Sequence, residues 1–392
     1  MKVSILTNGP GELWGWARPV VMELRRRGHS VSLWLLPCQF ASGSERTVAS
    51  RLGVDKLEGP SGSAWTWRAL GQEKTDCVLQ LGGDLLFGRR IANCAGAPLI
   101  SYAYGFKKGM EHARVFTAYF YMAENIDMRL KTPKAQPIGD LVKDSLALDT
   151  GTFKWDEEKD DEKEHGEEEK EEEKEEEKNA PPRLLIFPGS RPNIRRLSLG
   201  WLQAVLRHLR VQLGQIQVGA LFSPFVPENE FSVWANAGLN PLRAGAGVVM
   251  RSADYALTQP GTNVLEMMHC GLPALVAAPM NFLRTVPISG IGGFLSGVPL
   301  MGSWLKEQAI RRNLERYNGF ISWPNRIANQ MLLDEATGNI APNELAARIA
   351  ASLQDKEKLS RVRKELLALS GPQGAASRLC DAVEENQPQE SS

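Results

Sequence analysis

The sequence predicts an α/β chain of two similar units, each a parallel sheet with helices on both faces. Two observations predict it. Short apolar runs alternate with helical segments up to about residue 148, and the same alternation restarts after an acidic stretch at 156–178. Strands that alternate with helices pair in parallel, because the chain must cross back along a helix before the next strand begins. The length of 392 residues exceeds one ordinary core and suits two domains.

In order, VSILT (3–7) precedes a helix over 14–28, SVSLWLL (30–36) a helix over 44–52, and CVLQLGG (77–83) a helix over 87–95, before APLISYAY (97–104). The second unit reads RLLIFPG, a helix near 195–213, IQVGALF, a helix near 228–237, the apolar runs GVVM and YALTQ, a helix at 262–270 and PALVAAP. From Asn343 three segments show helical apolar spacing: NELAARIAASLQ, KEKLSRVRKELLALS and AASRLCDAVEE. The expected division is an N-terminal domain over 1–150, an acidic linker over 151–181, a C-terminal domain over 182–342 and helices with a tail over 343–392.

The formal charge of zero hides a split. Residues 156–178 hold 16 acids against five lysines, a net of −11, so the rest of the chain stands at about +11. Glu–Lys pairs at i,i+3 support a helix there weakly while Glu–Glu pairs at i,i+4 oppose it, so a solvated inter-domain linker is expected. The basic remainder favours phosphorylated ligands or an anionic membrane surface. Nucleic acid is not expected as a partner, because the basic residues are dispersed and accompany no recognition motif.

Cys38, Cys77, Cys94, Cys270 and Cys380 are scattered and never in CxxC spacing, which points to a reducing compartment and away from a zinc site. No charged leader followed by an apolar region opens the sequence, so a cytoplasmic protein is expected. The 21 residues 285–305 carry no charge but contain five glycines and two prolines. Such a stretch reads as a loop, or as a patch that touches lipid beside Trp304, Lys306, Arg311 and Arg312, rather than as a spanning helix.

Two strand-to-helix turns in the second unit have the chemistry of phosphate binding. In FPGSR, Gly189 and Ser190 let backbone amides approach a ligand and Arg191 is able to grip two oxygens. In QPGTN, Gln259, Gly261, Thr262 and Asn263 open a helix whose free N–H groups and partial positive charge suit a diphosphate without a metal. Glu266, one turn in, is placed to accept from ribose hydroxyls. The first unit has its own glycine turn, NGPGELWG, but Gly9, Gly11 and Gly15 miss the GxGxxG spacing by one residue.

These motifs together resemble the lipid-A-disaccharide synthase family. FPGSR is similar to its LPGSR, and DYALTQPGTNVLEMMHCGLPALVAAP to its SGTATLE segment and the PMVV strand after it. Residues 320–325, FISWPN, resemble its SLPN. In the first unit PGELWG resembles SGDLLG, LQLGGDLLFGRRIA resembles IDAPDFNLRLA, and residues 136–144, QPIGDLVKD, resemble VGHPLVD. The chain departs at Thr7-Asn8, Glu12, Leu86, Asp140 and Ile194, where the family has GE, Asp, Asn, His and Glu.

The resemblance implies a GT-B fold, two Rossmann-like domains facing each other across a cleft, and an inverting glycosyltransferase with a UDP-sugar as donor and no other cofactor. It implies a phosphorylated or lipid-linked sugar acceptor and peripheral contact at the inner face of the cytoplasmic membrane. Asp84 is then the first candidate for the base that deprotonates the acceptor and Glu12 the second. Asp84 also suits a helix cap. The nucleotide-sugar would touch Gly189, Ser190, Arg191, Gln259, Gly261, Thr262, Asn263, Glu266 and Asn325.

Two alternatives stay open, a UDP-N-acetylglucosamine epimerase and a binding protein without turnover. The histidines form no ligand spacing, and His269 reads as a helix-end cation. Trp14 and Trp16, like Trp65 and Trp67, stand at i,i+2, so at least one of each pair is expected to be exposed or to line a cleft.

Overall fold

A computed structural model describes residues 1–38, 41–60, 63–104, 115–118, 135–155, 180–189, 191–279 and 319–386. The acidic run and the uncharged 285–305 stretch both lie outside the described residues.

The N-terminal sheet has seven parallel strands, β1 (Lys2–Thr7), β2 (Ser30–Leu35), β3 (Lys56–Glu58), β4 (Cys77–Gln80), β5 (Leu99–Ala103), β6 (Val115–Ala118) and β7 (Ala135–Pro137). Their order is β3-β2-β1-β4-β5-β6-β7, with Val3 opposite both Val31 and Cys77. The C-terminal sheet has six, β8 (Arg183–Ile186), β9 (Gln217–Leu221), β10 (Pro241–Leu242), β11 (Tyr255–Thr258), β12 (Ala274–Pro279) and β13 (Asp334–Gly338), in the order β10-β9-β8-β11-β12-β13. Burial on both faces explains why β1, β4, β8, β11 and β12 read as mostly apolar rather than as strict alternation. In each sheet the strand order reverses at one place, between β1 and β4 and between β8 and β11. At such a switch point the connections leave in opposite directions and open a crevice beyond the carboxyl ends of the strands.

After β1 the chain enters a helix at once. Pro10 stands at its first position, where the missing N–H costs nothing. Pro10–Glu12 and Arg18–Arg26 are α-helical, and Leu13–Ala17 between them is one π-helical turn. Such turns insert an extra residue and gather at functional sites. This helix faces the other domain, and Arg18 donates to Asp149 at 2.8 Å while Asp149 accepts from the Gly247 N–H at 3.0 Å.

One expectation is corrected. GVVM is part of the helix Ala246–Ser252 and not a strand. The three segments after 343 form packing helices, as their apolar spacing predicts. Pro342–Gln354 packs on Pro192–Leu213, Lys356–Leu369 on Asn263–Cys270, and Ala375–Glu385 crosses back to Arg18–Arg26 of the N-terminal domain. There Arg27 pairs with Asp381 and Glu384, His29 Nε2 lies 2.8 Å from Glu384, and Asp144 accepts from the N–H groups of Gly374 and Ala376. One apolar cluster accordingly runs from Leu13 and Val142 through Met268 to Leu366 and Leu379, joining the two domains.

Candidate active site

The two switch points face one another. A Cβ built on Gly11 would lie 3.1 Å from Thr262 Oγ1, so the glycine turn after β1 touches the turn after β11 across the domain boundary. Arg191, after β8, has its guanidinium pKa lowered by burial and raised by the nearby Cys38, at the end of β2. Both turns of the second domain therefore address the first domain's crevice.

On the N-terminal side Asn8, Gly9, Glu12 and Gly82 come together, and Asp84 follows Gly82 by two residues. A Cβ on Gly82 would stand 2.5 Å from Asn8 Oδ1 and 3.1 Å from Glu12 Cγ, so only glycine leaves room for Glu12 to lie across the turn. Asn8 Nδ2 points to Cys38 Sγ at 3.8 Å, and its Oδ1 is buried with no hydrogen-bond partner among the described residues. A buried orphan acceptor costs about 1–3 kcal/mol and suits a ligand hydroxyl. Gly83 takes a φ of 76°, which turns the chain so that Asp84 caps the helix Leu85–Ala95 by accepting from the Leu86 N–H at 2.9 Å. Asp84 is exposed and Glu12 partly so.

On the C-terminal side Gly189 has a φ of 97°, and a Cβ there would meet Ile194 at 3.1 Å and Gln259 Oε1 at 3.7 Å. The two anion-type turns are neighbours. Ser190 lies outside the described residues. Pro260, Gly261 and Thr262 are exposed, and the helix Asn263–Cys270 starts without a side-chain cap. Asn263 Nδ2 is turned back onto Thr258 Oγ1, which fixes the turn. Arg195, which sequence reasoning missed, is buried, donates to Glu230 at 2.7 Å and reaches Gly189 O at 3.4 Å. Its position one turn into a helix gave no sign of that partner.

Glu266 is partly exposed and sits at the domain junction. Burial first, then Asp149, push its carboxyl up to about 7, Arg18 works against this and Asp140 adds to it. Asn325 is corrected as a ligand residue. It is fully buried, its Nδ2 donates to Leu333 O and Glu335 Oε1, and its Oδ1 accepts from the N–H groups of Leu332 and Leu333, all at 2.8 Å. A side chain with every polar group satisfied inside its own loop has none left for a nucleotide.

His269 stands in the last turn of the helix Asn263–Cys270, as its place in the sequence predicts. It is buried, Nε2 lies 2.7 Å from Asp140 Oδ2 and Nδ1 2.9 Å from Ser370 Oγ. Asp140 also accepts from Tyr104 Oη at 2.9 Å and caps the helix Leu141–Ala147 through the Val142 N–H. The pair spans the two domains and is spoken for structurally. Among the tryptophans, Trp16 is buried and donates to Tyr104 Oη at 3.1 Å, and Trp14 carries the Arg18 guanidinium over its ring at 4.2 Å. Trp65 and Trp67 are both on the surface.

No family model and no curated protein matches this sequence. Solved structures do match it over the whole length. The calicheamicin glycosyltransferase CalG4 superposes with a TM-score of 0.55 at 12% identity, over 100% of this chain and 99% of that one. The S. aureus MnaA–UDP complex gives 0.53 at 15%, over 98% and 96%. The UDP-GlcNAc 2-epimerase of Methanocaldococcus jannaschii gives 0.50 at 13%, over 98% and 100%. The chain has the GT-B fold of two Rossmann-like domains that these proteins share.

Proposed function

We propose that this protein is an inverting glycosyltransferase that draws its donor, a UDP-sugar, into the C-terminal domain and its acceptor into the N-terminal one. The observation that carries the reading is the opposition of the two switch points. Uncapped N–H groups and Arg191 stand on one side, and Glu12 and Asp84 on the other.

In the reaction the acceptor oxygen attacks the anomeric carbon as the bond to the diphosphate breaks. Asp84 takes the hydroxyl proton, and the electron pair leaves with UDP. The helix start at 261–263 and Arg191 stabilise the charge that develops on the leaving phosphate. Asn8 and Glu12 orient the acceptor hydroxyl. The motif resemblance to lipid-A-disaccharide synthase supports UDP-N-acetylglucosamine or its acylated form as donor and a phosphorylated glycolipid at the inner membrane face as acceptor. Changed residues at Glu12 and Leu86 make the acceptor particular to this chain.

The test is UDP release from UDP-N-acetylglucosamine with glycolipid acceptor, set beside UDP-dependent thermal stabilisation. Asp84→Asn is expected to lower turnover by about 10²–10⁴-fold while the stabilisation by UDP stays. Turnover equal to wild type in that variant refutes Asp84 as base. An acceptor-independent change of the donor sugar itself makes the chain an epimerase instead.

A further inference from the structure

We infer that Arg195 is a positioning residue for the donor: from beneath the turn after β8 it draws a carbonyl inward and so keeps the N–H groups of that turn directed at the diphosphate. The inference rests on the reading of a UDP-sugar donor in the C-terminal domain.

The helix Pro192–Leu213 buries a stripe at helical spacing that includes Arg195, Ser198, Leu202, Val205, Leu206 and Leu209. The two polar members stand nearest the start of the helix, and both reach back to the turn before it. Arg195 Nη1 donates to Gly189 O at 3.4 Å, and Ser198 Oγ, 3.0 Å from Arg195 O, comes within 3.5 Å of Pro188 O. The Arg195 side chain is 1% exposed. Glu230, on the helix Asn229–Asn236 after β9, takes its Nε at 2.7 Å and its Nη2 at 2.5 Å. A buried ion pair commonly adds no stability over an apolar pair of similar volume, so packing alone does not call for an arginine in this stripe. Its remaining nitrogen, turned to Gly189 O, gives the arginine a task that leucine cannot perform.

A trans peptide is planar, and its N–H points opposite to its C=O. A carbonyl held down onto the helix therefore turns the N–H of its own peptide outward. The Gly189 N–H shares its peptide with Pro188 O and is one of the donors set in this way. Gly189 makes the bend at a φ of 97°, and a Cβ there would stand 3.1 Å from Ile194, so the backbone already lies close on the helix. Successive N–H groups that face one way form a concavity for an anion. Gln259, in the second anion-type turn, stands 3.7 Å from the same Cβ position, so a diphosphate shared by both turns depends on where Gly189 is held. Arg195 acts at one remove, through the peptide that meets the phosphate.

Calorimetric titration of the full chain with UDP and, separately, with uridine tests this. R195M/E230L removes both charges at similar volume, so its Tm is expected to match wild type. R195K keeps the charge and its pairing with Glu230 but lacks the fork that serves two partners at once, and it carries the same readout should the double variant not fold. Each is expected to bind UDP about tenfold or more weaker than wild type while uridine binds within about twofold, because uridine has no phosphate for the turn to hold. Wild-type UDP affinity in these variants overturns the inference and leaves the donor reading standing. Equal losses for UDP and uridine also overturn it, since a general loosening of the domain weakens both. No UDP binding by the wild-type chain refutes the donor reading itself, and the inference with it.

Discussion

Glu266 gives the most quantitative prediction. Its carboxyl, which ordinarily titrates at 4.5, is raised to about 7 by burial and by Asp149 at the domain junction. The folded value lies above the unfolded one, so the folded chain prefers the protonated acid. That preference stabilises the fold fully below about pH 4.5 and is lost as the pH climbs through about 7. At 1.36 kcal/mol per pH unit the loss is on the order of 3 kcal/mol. Glutamine keeps the shape of the neutral acid and does not ionise. Glu266→Gln is therefore expected to match wild type at about pH 5 and exceed it by on the order of 3 kcal/mol at about pH 8. That corresponds to roughly 5 °C in Tm. Thermal unfolding without nucleotide, followed by intrinsic fluorescence across this range, reads the difference directly. Parallel pH profiles for the two proteins would refute the placement of Glu266 against Asp149.

Three further substitutions separate roles within the crevice. Arg191→Ala removes charge-assisted hydrogen bonds worth about 1.5–3 kcal/mol, so calorimetric titration should show UDP binding weakened roughly 10- to 100-fold; wild-type affinity would exclude Arg191 from the donor site. Gly11→Val places branched carbons where a single Cβ already stands 3.1 Å from Thr262. It is expected to lower turnover at saturating donor by tenfold or so with little change in Tm, since closure brings these turns together. Equal turnover would mean that the reaction does not need that approach. Asn325→Ala strands the Leu332 and Leu333 N–H groups and should cost about 2–4 kcal/mol in unfolding experiments. Its UDP affinity should stay at the wild-type value, and selective loss of UDP binding without loss of stability would restore Asn325 as a ligand residue.

The parallel sheets were legible because buried strands are written mostly in apolar residues, as VSILT, CVLQ, RLLI and ALVAAP are. Turn chemistry at FPGSR and QPGTN was legible for the same kind of local reason. What was hidden depended on distant partners. GVVM is as apolar as a strand, and a four-residue run cannot tell a buried helix from a buried strand. The strand DEATG is polar and half exposed at a sheet edge, so it carries no apolar signal. Nothing near His269 announces Asp140, and nothing near Asn325 announces that Glu335 will claim it. The i,i+2 spacing of Trp65 and Trp67 put at least one of them outside; Thr66 took the core position between them and left both there.

The return of the helix Ala375–Glu385 to the N-terminal domain has a consequence for biosynthesis. The strands of that domain are all translated by residue 137, yet the contacts of Arg27, His29 and Asp144 with the last helix form only when residues 374–384 emerge. At about 5–20 residues per second the ribosome needs roughly 10–50 s to deliver them. For that interval the face of Arg18–Arg26 that receives the last helix stands open to chaperones and to other nascent chains. The first domain to be made is the last to be finished.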